Sequence, residues 1–78
     1  MIKEAAILKD GIIYTGRRHH NIMWDNPKGM FKGEDAIQGF VTDDGKFVDR
    51  IEGAKIALES GQIKQLNWPP NLYSEDLY

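Results

Sequence analysis

Cysteine is absent from the 78 residues, which removes disulfides, thiolate-bound zinc and a thiol nucleophile together. Long apolar runs are absent as well. No stretch approaches the roughly 20 residues of a membrane-spanning helix, and Glu4 stands where a secretory signal would begin its apolar run. The expectation is a cytoplasmic protein with no membrane contact. An excess of positive charge is also missing: ten Lys and Arg against twelve Asp and Glu give a formal charge of −2. Affinity for a nucleic-acid backbone comes from many phosphate neutralisations, so nucleic acid is not an expected partner.

What is present is 41% hydrophobic and 28% charged residues, the composition of a folded chain rather than a disordered one. A chain this short buries only about 60% of the surface it exposes when unfolded, so its core is thin. The reading is a single small domain over residues 1–78. Residues 25–35 form a flexible loop, and residues 67–78 an extended tail packed on the domain or on a partner.

Two β-favouring runs, Ala5–Lys9 and Ile12–Thr15, flank Asp10-Gly11, a two-residue hairpin signal because both turn positions need positive φ. Thr15 or Gly16 opens a short helix through Trp24, which Asn26-Pro27 ends. On that helix Arg17, His20, Asn21 and Trp24 share one side, while His19, Ile22 and Met23 share the other. His19 therefore reads as a hydrogen-bonded core histidine, and His20 as the candidate for function. In the loop, Met30 and Phe31 tuck back onto the core.

Gln38–Thr42, the turn Asp43-Asp44-Gly45 and Lys46–Val48 make a second strand–turn–strand unit. Asp49-Arg50-Ile51-Glu52 has the capping-box form, and the helix it starts runs to about Ser60, with Gly61 as its left-handed cap. Only Glu52, Lys55 and Glu59 make a polar stripe on this helix, so its broad apolar arc asks for cover on two sides. Trp68, Leu72, Tyr73 and Leu77 read as packing anchors of the tail. The fold class is α+β: a small, mainly antiparallel sheet of three to four strands, one principal helix packed on a face, and a short second helix.

Tyr14-Thr15-Gly16-Arg17-Arg18-His19-His20, Gln38–Thr42 with Gly45 and Phe47–Arg50, Ile56-Ala57, Gly61-Gln62-Ile63 and Leu72–Tyr78 resemble a set of small proteins of tailed phages and prophages. The resembling blocks are spread from Tyr14 to Tyr78 and bring no activity to carry over residue by residue. Gly53 departs from it, since alanine is expected there; a mid-helix glycine points to close backbone approach or local instability. A phage setting implies an accessory protein that counteracts host defence, by binding a host protein or by sequestering a small phosphorylated ligand.

Arg17, Arg18 and His20 meeting Arg50 at the start of the long helix would make an anion or nucleotide pocket, with Trp24 stacking on a base. The competing reading ties those arginines to Asp49 and Glu52. A second hypothesis is a protein-binding or homo-oligomeric module using the apolar helix surface, the Met30-Phe31 loop and the aromatic tail. A small nucleotide-processing enzyme ranks below both: His20 with Asp49 or Glu52 supplies an acid–base pair, yet no nucleophile elbow, Walker loop or paired carboxylates accompany it. No cofactor is implied. Adjacent His19 and His20 diverge by about 100° on a helix, where an i,i+4 pair would converge on one metal ion.

Overall fold

Asp10 and Gly11 both take positive φ, 52° and 77°, and so close a two-residue turn between β1 (Ile2–Lys9) and β2 (Ile12–Gly16). Lys9 pairs with Ile12 directly across that turn. The computed structural model describes residues 1–26, 31 and 36–77. After β2 comes α1 (His19–Asp25), then β3 (Ala36–Thr42), β4 (Phe47–Asp49), α2 (Arg50–Glu59) and α3 (Ser74–Leu77). The four strands form one antiparallel sheet in the order β2-β1-β3-β4. The fold is α+β, as its strand–turn–strand units and capped helix imply.

Strand alternation sorts the side chains. Ala5 and Ile7 of β1, Phe40 of β3 and Val48 of β4 face the helices and join Ile22, Ala54, Ala57, Ile63 and Leu72 in one core. Tyr14 and Phe31 pack against its margin with their rings edge to face at 5.2 Å. Phe31 thus folds back as its apolar character suggests. Met30 and most of the residue 25–35 loop lie outside the described residues.

Several boundaries differ from the sequence reading. β1 begins at Ile2, and the register shifts between Ile2 and Glu4; that irregularity interrupts alternation and hides the first strand residues. Helix α1 starts only at His19, with Arg18 as its N-cap residue. Arg17 and Arg18 therefore precede the helix, and the shared side assigned to Arg17, His20 and Trp24 on a helical wheel does not apply to Arg17.

The long helix matches its signals closely. The Asp49 carboxylate accepts from the Glu52 amide at 2.8 Å, Ser60 is the C-cap, and Gly61 has φ 77°. Gly53, Ala54 and Ala57 are the buried residues of α2, while Ile51 and Leu58 stay 48% and 40% exposed. The sheet and the C-terminal segment both cover α2, through Phe40 and Leu72, and leave these two side chains outside. A Cβ on Gly53 would lie 3.2 Å from Phe40 Cδ2 and 3.5 Å from Leu72 Cδ2, so the departure from alanine reflects close approach of α2 to sheet and tail.

Gln62 closes an open sheet edge. Beyond Ala5, β1 has no β2 residue beside it. There the Gln62 amide accepts from the Ile2 N–H and donates to the Ile2 C=O, both at 2.8 Å. One side chain thus stands in for a missing strand. Gln62→Ala leaves a nearly buried backbone pair unmet, and we expect a loss of about 1–2 kcal/mol in urea unfolding. Unchanged stability would show that water replaces the side chain without cost.

Candidate functional site

His19 sits on the core side of α1, 8% exposed, and its Nε2–H donates to the Gly39 carbonyl at 2.8 Å. Its ring meets Phe40 edge to face at 5.2 Å. The core assignment of His19 holds. Burial pushes its pKa below the ordinary value of 6.5, against the Gly39 hydrogen bond, which favours the charged ring. The folded ring therefore resists the proton that the unfolded chain takes up below 6.5. The stability due to His19 is whole above that pH and falls as pH drops toward the lowered folded value. Urea midpoints measured from about pH 8 down to about pH 5 should decline more in the wild type than in His19→Gln. Parallel declines would contradict this.

His20 turns the other way. It is exposed, and its ring lies 5.2 Å from the ring of Trp24, one turn along at i,i+4. Trp24 is 80% exposed and Met23 38%. Arg17 is exposed and Arg18 half-buried at the helix start, and both residues have interactions within the protein. Arg17, Arg18, His20 and Trp24 thus cluster along one short stretch at the end of β2 and on α1.

Arg50 has a different set of partners. Its Nη1 donates to the Leu72 carbonyl at 2.8 Å, its Nη2 donates to the Gln38 side-chain oxygen, and its guanidinium lies 4.5 Å over the ring of Tyr73. The Leu72 N–H returns a bond to the Arg50 carbonyl at 3.1 Å. Burial lowers the Arg50 pKa from its usual value, against Tyr73 and Glu75, which favour the charged form; a guanidinium remains cationic regardless. Arg50 latches the C-terminal segment to α2 and β3. Asp49, with Glu52 an expected partner of the arginines, caps α2.

A second constellation forms where the sequence suggested only packing. Trp68 and Tyr73 meet with ring centroids 5.5 Å apart and planes at 81°, and with Glu75 they line an open cleft of about 260 Å³. Trp68 is 57% exposed, unlike the buried anchor Leu72. Nothing in the local sequence announces this cleft, because its members are brought together by Asp76, which binds Asn67 on one side and the Tyr73 amide on the other.

On the face of the sheet away from the helices, Ile13, Leu8 and Ile37 form a row across three strands. Ile13 and Ile37 are 42% and 48% exposed. Among the described residues no group of three or more His, Asp or Glu is placed to hold a metal ion, and no helix is long and apolar enough to cross a membrane.

Over residues 1–78 the chain matches the family model of the phage T4 y16D protein. It belongs to that family. No curated protein and no solved structure matches it. The y16D family match extends through both halves of the molecule, so the His20–Trp24 surface and the Trp68–Tyr73 cleft both lie in the matched region.

Proposed function

We propose that this y16D-family chain is a non-catalytic phage accessory protein that binds a host protein through the exposed side of α1, with Trp24 at the centre. The observation that carries the reading is a tryptophan 80% exposed, its ring flanked by His20. Tryptophan and arginine are the residue types most enriched among side chains that dominate protein–protein binding, and both occur along this stretch. Three groups suited to chemistry have structural work: His19 holds a backbone carbonyl, Asp49 caps a helix and Arg50 holds the tail. In a pocket for a phosphorylated ligand shared between Arg17, Arg18, His20 and Arg50, the ligand would share the Arg50 guanidinium with the Leu72 carbonyl and Gln38.

The test is photo-crosslinking in phage-infected cells with wild type, Trp24→Ala and His20→Ala, followed by reconstitution with each captured protein after purification. Trp24→Ala should weaken the reconstituted complex by about tenfold or more. Equal binding by wild type and Trp24→Ala would remove the basis of the reading.

Self-association is the second reading, favoured by the Ile13–Leu8–Ile37 row. The row has no charged member, so it complements itself, and two such faces can stack about 10 Å apart as in a sheet sandwich. Sedimentation equilibrium should show a dimer that Ile37→Lys dissociates; a wild-type monomer at high micromolar concentration sinks the idea.

A further inference from the structure

We propose that the corner formed by Trp68, Tyr73 and Glu75 is a binding site for an organic cation, an ammonium or guanidinium group. The two rings meet edge to face, with planes at 81° and centroids 5.5 Å apart, and together with Glu75 they line the 260 Å³ cleft. Aromatic faces attract cations through their quadrupole, with tryptophan the strongest, and aromatic corners are suited to alkylated ammonium groups. The Glu75 carboxylate adds the charge that selects a cation over a neutral ligand of the same shape. Glu75 is exposed, and its charge also acts on the Arg50 guanidinium.

The same corner already holds one cation of its own. The Arg50 guanidinium lies 4.5 Å over the Tyr73 ring, with N–H groups turned to the Leu72 carbonyl and Gln38. Its position shows that the Tyr73 face accepts a positive charge, and it leaves Trp68, 57% exposed, to meet a second one. The walls are also fixed in advance. Asp76 Oδ1 accepts from Asn67 Nδ2 at 2.7 Å while Oδ2 accepts from the Tyr73 amide at 3.0 Å. Trp68, next to Asn67, is thereby held beside Tyr73, so little ordering remains to be done when a ligand arrives.

This site is separate from the α1 surface and stands whether or not that surface binds a protein. The source of the cation is either a free small molecule or a lysine or arginine side chain of another protein. The full-length protein, labelled with ¹⁵N, is titrated with tetramethylammonium, choline, a short lysine peptide, a short arginine peptide, the neutral isostere 3,3-dimethylbutanol and adenosine monophosphate. The Trp68 indole and Tyr73 amide signals are followed. The cations should shift both signals saturably in the millimolar range, and the isostere and the nucleotide should not. Tighter binding of a peptide than of choline assigns the site to a protein side chain, and the reverse assigns it to a free small cation.

Glu75→Gln keeps size and exposure and should weaken cation binding about tenfold; Trp68→Ala should abolish the Tyr73 shift. Equal binding of the neutral isostere, saturable binding of the nucleotide, or no shift with any cation would overturn the proposal. So would unaltered binding by Glu75→Gln.

Discussion

Replacing Gly39 by alanine should lower stability by about 3–5 kcal/mol, or leave no folded protein to measure. A Cβ built on Gly39 runs into the carbonyl oxygen of Val48 and lies 2.8 Å from Phe47 Cζ and 3.1 Å from Asp49 Cα. The ring tip can swing aside; the backbone of β4 cannot, because Phe40 pairs with Val48 and Gly39 with Asp49 in the ladder. Moving that backbone also disturbs the start of α2, whose N-cap is Asp49. The Gly39 carbonyl is in addition the acceptor for His19, so a shift of β3 costs the core histidine its partner. Circular dichroism and urea unfolding of Gly39→Ala check this. A variant with a wild-type midpoint would show that β4 is not held where the structure puts it.

Arg50→Ala should cost about 2–4 kcal/mol. The substitution removes two hydrogen bonds from a charged donor and the contact with Tyr73. It also leaves the carbonyl of Leu72, a residue with no exposed surface, without its side-chain partner. Lysine in its place should recover less than half of the loss, because an ammonium cannot fork between Leu72 and Gln38 while lying flat on a ring. Hydrogen exchange gives the location: the Leu72 amide, bonded to the Arg50 carbonyl at 3.1 Å, should lose protection before the amides of β1 and β3. A change below about 0.5 kcal/mol would mean the tail is held by Leu72 packing alone.

These two positions show what local pattern can and cannot reveal. Asp10-Gly11 announces its hairpin because both φ angles it supplies are required by that turn. Asp49 and Glu52 announce a helix start because the cap and its target are three residues apart. His19 is legible as core because Ile22 lies one turn away on the same face. In each case the deciding contact is local.

Arg50 is different. Its partners are 12 and 22 residues distant, and its place after an N-cap suggests an anion site that those partners already contend for. The beginning of β1 is hidden by a register shift, and its completion depends on Gln62, sixty residues along the chain. The Trp68 corner depends on Asp76, nine residues from Asn67, across a turn that contains a cis Pro69-Pro70 bond. Large apolar and aromatic residues in a thin-cored chain read as packing, and for Leu72 that is correct. For Trp68 it is not, because the fold leaves it at the surface.

The account turns on Arg50 being a structural latch, with binding carried by exposed aromatic surfaces. Side-chain NMR of the arginine Nε–H groups during titration with adenine and guanine nucleotides, linear and cyclic, tests this most directly. The account predicts that the Arg50 signal, held by Leu72 and Gln38, stays in place at saturating nucleotide. Saturable movement of Arg50 together with Arg17 and Arg18 would contradict it and restore a shared anion pocket.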